Sequence, residues 1–186
     1  MPYVDVPQGE EVLQRAPDDG FYVTNRFRGT AHALRKDVFV RLGGYRAMLF
    51  HQAEEPDLAI RLLEVGYVVR LGRGDPIRHF GSPKRDLDRI WFYESRNDVL
   101  FAWHNVPMPD LVLRLAKVVV HTLWLGVGVR RPGLFAGGLR AGFAAAFRER
   151  ASREPVSRGA WRVYERLARS PARIEEIESE LPKGPV

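Results

Sequence analysis

The pattern of apolar and polar residues changes along the chain and divides it into three zones. Residues 1–107 combine short β-like runs, Gly and Pro punctuation and a clear amphipathic helix, a pattern typical of α/β domains. Residues 108–150 are much more apolar and predict a helical hairpin interrupted by the sequence RRPG. Residues 151–186 predict a polar helical tail that frays after Pro171. We therefore expect an α/β fold followed by C-terminal helices.

The first zone predicts its elements in alternation. A strand is expected from Phe21 to Thr24, and a short helix from Lys36 to Leu42 that ends at Gly43-Gly44. Further elements follow in order: a helix over 56–65 that ends at Gly66, a strand over 67–71, and a helix within 86–105. Such alternation of strands and helices is what predicts the α/β class.

Three carboxylates, Glu54, Glu55 and Asp57, surround Pro56 at the start of the second helix. Proline is favoured at the first helical position, so we expect Glu55 at the cap and Glu54 outside the helix. The positive helix end explains part of this clustering, and Asp57 has Arg61 four residues on as an ion-pair partner. Glutamate is a weak capping residue, so Glu55 is the stronger candidate for chemistry, with a side chain that reaches into a cleft. Glu54 fits both interpretations.

Composition narrows the classes of function. The chain has 186 residues, 45% of them apolar, which is enough to bury a core. With no cysteine, disulfides, thiolate zinc sites and cysteine nucleophiles are excluded. The N-terminus has no basic flank followed by an apolar run, so we expect a cytoplasmic protein. The net charge of +6 favours anionic partners such as phosphates or an acidic membrane. No nucleic-acid-binding motif is recognisable, so nucleic acid is not an expected partner.

The apolar zone contains a stripe of polar residues. Asp110, Arg114, Lys117 and His121 recur at i, i+4, i+7 and i+11, which places them on one face of a helix. A membrane-spanning helix needs about 20 largely apolar residues, and this stripe argues against one. Two alternatives stay open. The hairpin lies in a membrane interface with its basic side toward lipid phosphates, or it covers the α/β core.

Residues 28–82 carry an ordered set of features. The set comprises a small-residue strand, an Arg-Lys pair, Gly-Gly-Tyr, an acidic pair before Asp57-Leu58, an arginine one turn later, Gly66-Tyr67 and a downstream His79. In this order and spacing the stretch resembles the second half of a family 2 glycosyltransferase of the GT-A fold. The segment YESRND, residues 93–98, resembles the one that follows this histidine in bacterial polysaccharide and rhamnosyl-type members. The likeness covers about residues 20–107.

The resemblance implies roles for particular residues. Glu55 takes the position of the general base that removes a proton from the acceptor hydroxyl. Glu54 and Asp57 take flanking positions that shape the acceptor pocket, and His79 takes that of a ligand to the divalent metal, Mn²⁺ or Mg²⁺. The small-residue stretch beside donor and acceptor is Gly29, Thr30 and Ala31.

The resemblance also implies the reaction. A sugar moves, with inversion, from a nucleoside-diphosphate sugar to a hydroxyl or lipid-linked acceptor, in polysaccharide or glycolipid synthesis. The family's nucleotide-binding strands and its metal-binding Asp-x-Asp have no counterpart here, because Asp86-Leu87-Asp88 is interpreted as the start of a helix. We therefore expect a partial GT-A fold that is a fragment, the product of a truncated reading frame, or one partner of a split enzyme. The divalent metal is expected only where a donor half is supplied. The alternative is a non-catalytic remnant of the fold that binds a membrane or a partner.

Overall fold

A computed structural model describes the backbone of residues 3–6, 12–74, 77–80 and 84–182, and the side chains of 15–74 and 84–182. The described chain is a mixed α/β structure in which helices predominate. It divides into two compact units. The first comprises Met1–Gly44, Leu58–Arg85 and Arg158–Val186, and the second comprises Tyr45–Asp57 and Asp86–Ser157. Neither unit is continuous in sequence, unlike the zones 1–107, 108–150 and 151–186 that the sequence suggested.

All of the described strands belong to the first unit. They are β1 (Tyr3–Val6), β2 (Val12–Gln14), β3 (Tyr22–Thr24), β4 (Val69–Arg70), β5 (Ile77–Phe80) and β6 (Ala172–Arg173). One sheet has the order β2-β1-β5, with β1 antiparallel to β2 and parallel to β5. The other has the order β4-β3-β6 and is antiparallel throughout. The predicted strands at 21–24 and 67–71 are both present in shortened form.

Seven α-helices are described: α1 (Lys36–Arg41), α2 (Glu54–Glu64), α3 (Leu87–Asn105), α4 (Asp110–Gly128), α5 (Pro132–Arg148), α6 (Arg158–Arg169) and α7 (Ile174–Ile177). The predicted stops are confirmed. Gly43, Gly44 and Gly66 have φ angles of 74°, 66° and 80°, a left-handed conformation that glycine adopts without steric cost. Asp86 caps α3, since its carboxylate accepts a hydrogen bond from the backbone N–H of Arg89 at 3.0 Å. The interpretation of Asp86 as a helix-start residue is therefore confirmed.

The core of the first unit lies between α1, α2 and the chain before α1. Its buried members alternate with partly buried neighbours at helical spacing, so each helix presents one apolar face. The fully buried members are Phe27, Val38, Leu58, Ala59 and Leu62.

The C-terminal segment is part of the first unit, and the predicted fraying after Pro171 is wrong. Ala172 pairs with Val23 in β6, and Ile177 is completely buried. Within α6, Trp161 and Tyr164 are buried and stack with ring centroids 5.8 Å apart. Polar residues dominate the composition of this segment, but its few apolar residues share one face, and that periodicity is what holds it in the fold.

Helices α3, α4 and α5 form the second unit, and small residues let α5 approach α3 closely. A Cβ added at Gly138 would lie 2.7 Å from the backbone oxygen of Phe92, and one at Gly142 would lie 2.6 Å from that of Arg96. Real Cβ atoms do not occupy such positions, so these glycines set the distance between the two helices. The apolar core around them includes Val99.

We expect Gly142→Ala to lower the free energy of unfolding by about 1–3 kcal/mol, because the added methyl group would displace α3 from α5. Gly133→Ala is the matched control. No atom lies within 4 Å of a Cβ at Gly133, and alanine is the better helix former by about 1 kcal/mol. Urea denaturation of the two variants measures the difference. Equal stabilities would show that close helix contact does not depend on Gly142.

Helix α4 is long and apolar enough to cross a membrane by length and composition, with a mean hydropathy of 1.5 over an 18-residue window. Only 22% of that window is buried, so α4 is not an ordinary core helix. Its exposed side carries large apolar residues, among them Val120 and Trp124, each 70% exposed, and Val127 at 68%. Within the predicted polar stripe, Lys117 and His121 are exposed.

Candidate functional site

Helix α2 begins two residues earlier than the sequence predicted. It starts at Glu54, and the backbone N–H of Asp57 donates to the oxygen of Ala53 at 3.1 Å. Pro56 therefore lies inside the first turn, where a missing N–H is harmless because the first four N–H groups of a helix have no intrahelical partner. The expected placement of Glu55 at the cap was wrong. All three carboxylates stand in the first turn, at the positive end of the helix.

Asp57 is an internal anchor of the second unit. Its side chain is 1% exposed, and its Oδ1 accepts from Arg46 Nη1 at 2.6 Å and from Asn105 Nδ2 at 2.8 Å. Arg46 also donates to Asn105 Oδ1 at 3.2 Å. A buried carboxylate with charged and amide donors is held in one orientation. These contacts favour the structural interpretation of Asp57 over a place in an acceptor pocket.

Arg61, one turn after Asp57, ties α2 to the end of α1. Its two terminal nitrogens donate to the backbone oxygens of Leu42 and Gly44 at 2.7 and 2.6 Å. These carbonyls follow the last turn of α1, where helix oxygens lack partners within the helix. The arginine that the resemblance includes thus has a packing role within the first unit.

The backbone immediately before α2 is strained. Phe50, Gln52 and Ala53 have φ angles of 52°, 70° and 70°, although none of them is glycine. A side chain in this region costs on the order of 1–3 kcal/mol and persists only where neighbouring contacts enforce it. The acidic turn of α2 is therefore reached through a loop whose conformation is imposed from outside.

Two neighbouring residues of α3 impose that conformation. Asn97 is completely buried, and its Nδ2 lies 2.6, 2.6 and 2.8 Å from the backbone oxygens of Leu49, His51 and Gln52. An amide group has two hydrogens, so these three oxygens share them. Arg96 Nη1 donates to the backbone oxygen of Met48 at 2.9 Å and to Asn97 Oδ1 at 2.6 Å. The pair thus holds residues 48–52 by their carbonyl groups.

Sequence reasoning did not assign Arg46, Asn97 and Asn105 to the site. For the two asparagines, the signal is their position on α3 among buried apolar residues, which are Val99, Leu100, Phe101 and Ala102. Asparagine disfavours the helix interior, and a buried amide requires hydrogen-bond partners. Asn97 and Asn105 are two such positions, and each binds the segment before or within the acidic turn.

Glu54 differs from a solvated surface carboxylate. Its Oε2 is buried and has no hydrogen-bond partner among the described residues. Burial raises the pKa of Glu54, its own backbone hydrogen bond acts in the opposite direction, and the neighbouring charge of Glu55 raises the pKa further. Burial also raises the pKa of Tyr45, with smaller contributions from Glu55 and Glu54. The Glu54 carboxylate, with its raised pKa, therefore binds a proton more strongly than an exposed glutamate does.

We expect Glu54→Gln to be more stable than the original chain at pH 7. A folded-state pKa above the unfolded value means that stability is fully present below the unfolded pKa and falls as pH rises through the folded pKa. Glutamine removes that loss, so the two melting temperatures should converge near pH 4 and separate toward pH 7. Calorimetry across this range measures the effect, with Glu154→Gln as an exposed control. A constant difference at every pH would contradict the burial of a charge at Glu54.

The other predicted site residues belong to the first unit. Gly29 and Thr30 are exposed and Ala31 is buried, in the turn that precedes α1. His79 lies in β5, opposite Asp5 in the parallel register with β1, where the structure describes the backbone. The second unit contributes Glu54 and Glu55. The roles of residues 29–31 and of His79 stay predictions.

A divalent metal also stays a prediction. Among the described side chains, no group of three or more His, Asp or Glu residues is arranged to hold a metal ion. The acidic turn on its own supplies two adjacent glutamates, and Asp57 is engaged by Arg46 and Asn105. The described side chains therefore do not form a metal centre.

Comparisons with known proteins supply no family assignment. Protein-family models, curated proteins and solved structures yield no significant match to this chain. The inference of function thus depends on the acidic turn, on the contacts that hold it and on the ordered features of residues 28–82.

Proposed function

We propose that this chain is the acceptor-side part of a family 2-like glycosyltransferase with a partial GT-A fold. It would transfer a sugar, with inversion, from a nucleoside-diphosphate sugar to an acceptor hydroxyl in cell-surface polysaccharide or glycolipid synthesis. The observation that supports this proposal is the adjacent pair Glu54 and Glu55 in the first turn of α2. The loop that leads to this pair is fixed by Asn97 and Arg96.

The chemistry requires one base at the acceptor. In the proposed reaction, Glu55 accepts the proton of the acceptor hydroxyl, and the oxygen attacks the anomeric carbon as the bond to the diphosphate breaks. A single displacement inverts the configuration at that carbon. A side chain held by a fixed backbone needs less reorganisation to reach the hydroxyl, and the clamp from α3 provides such a backbone.

Glu54 has a distinct part in this proposal. Its partly buried carboxylate and raised pKa suit a group that accepts a hydrogen bond or a proton from the acceptor. Glu55, half-buried on the next position, is the base that the resemblance implies. Asp57 acts as a positioning residue through Arg46 and Asn105.

The nucleotide site and the divalent metal are proposed to belong to a donor half, in a longer form of this protein or in a second polypeptide. The test is calorimetric titration of a sugar nucleotide with Mn²⁺ into the chain, alone and with a nucleotide-binding donor half supplied. We expect no binding by the chain alone and turnover only in the mixture. A mixture in which the donor half binds the nucleotide but transfers no sugar to any hydroxyl acceptor, including lipid-linked ones, would count against the proposal.

A second candidate function is a non-catalytic module that binds the cytoplasmic face of a membrane. The specific observation is the exposed apolar side of α4, with Val120, Trp124 and Val127, next to the exposed cation Lys117. Apolar side chains flanked by basic ones suit an interface rich in anionic lipids. The same surface would place a glycosyltransferase near a lipid-linked acceptor, so membrane association and catalysis are compatible.

Sedimentation with vesicles tests the membrane surface. Vesicles that contain phosphatidylglycerol should retain the chain, and Trp124→Ser should weaken retention several-fold. Val40→Ser is the matched control, because Val40 is 65% exposed but lies on α1. Equal retention of both variants would remove α4 as the membrane-binding surface. Retention without transferase activity in the reconstituted mixture would favour the non-catalytic function.

A further inference from the structure

The first unit contains a partly open cavity of about 250 Å³ that neither Glu54 nor Glu55 lines. Ala31, which the resemblance places beside donor and acceptor, is one of its lining residues. Its walls come from α1, α2, β4 and the chain between β3 and α1. The floor is apolar and formed by buried side chains: Val38, Leu58, Leu62 and Leu71. A floor of this kind accommodates an apolar group of a small ligand.

Basic side chains line the same cavity. They are Arg26, Arg28, His32, Arg35 and Arg70, and none of the described lining residues is acidic. The Nε atom of Arg28 is buried at this wall. Cations gathered beside a low-dielectric cavity raise the local concentration of anions. The charge around the cavity therefore favours an anionic group on the ligand.

Contacts with neighbours hold two of these side chains, Arg70 and His32, in place. The guanidinium of Arg70 lies 4.5 Å from the ring centroid of Phe21, a contact that orients the charge without neutralising it. His32 packs against Phe27, with ring centroids 4.7 Å apart, and its Nδ1 lies 2.9 Å from the backbone oxygen of Arg28. Since a carbonyl only accepts, Nδ1 carries the hydrogen. The wall is thus ordered before a ligand arrives.

One cation is balanced by a carboxylate. Arg35 forms an exposed ion pair with Asp37 at 2.8 Å, so it contributes less to the attraction of an anion. Arg26 is exposed, and no described contact engages its guanidinium group. Arg26 is therefore the side chain whose charge is most readily tested at this site.

We propose that this cavity binds a small amphiphilic anion, with an apolar body on the floor of leucines and valine and a phosphate or carboxylate head on the arginines. An uncharged apolar molecule would leave the cations unused, and an inorganic anion would leave the apolar floor exposed to water. The inference does not rest on the proposed glycosyl transfer, because neither Glu54 nor Glu55 lines the cavity.

Titration calorimetry with octyl phosphate, at concentrations below micelle formation, tests the proposal. Two control ligands test the parts separately: inorganic phosphate represents the anionic head, and 1-octanol represents the apolar body. We expect octyl phosphate to bind about tenfold or more tightly than either one, with affinity that falls as sodium chloride is raised. Equal affinities for octyl phosphate and 1-octanol would overturn the proposal, as would no binding of octyl phosphate.

Variants locate the binding. Arg26→Ala should weaken octyl phosphate about tenfold, whereas Arg169→Ala, which removes the same charge from an exposed position on α6, should leave it unchanged. Equal effects of the two variants would overturn the site. Vesicles of anionic lipid, added as competitors, separate the two sources of such a ligand. If the vesicles displace octyl phosphate, the natural ligand is a lipid headgroup. If octyl phosphate stays bound in the presence of vesicles, the natural ligand is a free molecule.

Discussion

Replacing Asp57 with alanine is expected to lower the free energy of unfolding by about 3–5 kcal/mol. The carboxylate is 1% exposed and accepts hydrogen bonds from Arg46 and Asn105. Its removal leaves the guanidinium of Arg46, 18% exposed, without this partner in a medium that stabilises charge poorly. The loss of unfolding free energy should exceed the net contribution of the Arg46–Asp57 ion pair, since the largely buried guanidinium of Arg46 loses its carboxylate partner.

Urea denaturation of three variants measures this effect. Asp37→Ala removes a carboxylate from an exposed pair with Arg35 and should cost less than about 1 kcal/mol. Asp57→Asn keeps an acceptor for Asn105 and should fall between the other two. A result in which Asp57→Ala and Asp37→Ala are equally stable would show that Asp57 is not a structural anchor.

The helices could be predicted from the sequence because their signals are local. Gly43-Gly44 and Gly66 mark helix ends through their left-handed backbone, and Asp86 marks a start through its side-chain cap. Apolar periodicity located α3, α4 and α5 and the break between α4 and α5. These features depend on a few neighbouring residues, so they can be read without knowledge of the rest of the fold.

The misjudged features depend on contacts between distant parts of the chain. Pro56 suggested that α2 begins at Pro56. Asn97, more than forty positions later, holds the loop of residues 48–52. With the loop held in this way, the helix begins at Glu54. The C-terminal segment looked frayed because few of its residues are apolar. Its strand pairs with β3, some 150 positions earlier. Tertiary contacts overrode local preference at both places.

The candidate site was predicted in part for the same reason. The sequence identified Glu54, Glu55 and Asp57 as a group, and the structure places all three in one helical turn. It favoured a structural role for Asp57, with Arg61 as the partner, and a chemical role for Glu55, and it left Glu54 open. Burial, which the sequence does not show, makes Asp57 an anchor and raises the pKa of Glu54. Asp57 is enclosed by donors, whereas Glu54 is partly buried with an oxygen that has no described donor. The donors to Asp57 are Arg46, which precedes α2, and Asn105 on α3, and both contacts form only in the folded chain.

The strained loop connects stability with the proposed activity. Three non-glycine residues in the left-handed region, Phe50, Gln52 and Ala53, raise the energy of the folded chain. The amide of Asn97 offsets part of that cost by binding the carbonyl groups of Leu49, His51 and Gln52. Strain that is retained beside a candidate base is consistent with a backbone selected for the position of a side chain.

Glu55→Gln is expected to reduce sugar transfer by about 10²–10⁴-fold in the mixture with the donor half, because glutamine cannot accept the proton of the acceptor hydroxyl. Stability should change little, since Glu55 is only half-buried. The measurement is kcat with a saturating sugar nucleotide, together with nucleotide affinity, which should be unchanged if the residue serves the acceptor alone.

Two controls make this result specific. Glu154→Gln removes a charge from an exposed position in the second unit and should leave kcat unchanged. Glu54→Gln tests the neighbouring carboxylate, whose pKa is raised by burial and then by Glu55. If Glu54→Gln abolishes transfer while Glu55→Gln does not, the base is Glu54. If neither variant changes kcat, the acidic turn takes no part in the reaction, and the membrane-binding function of α4 becomes the better account of the chain.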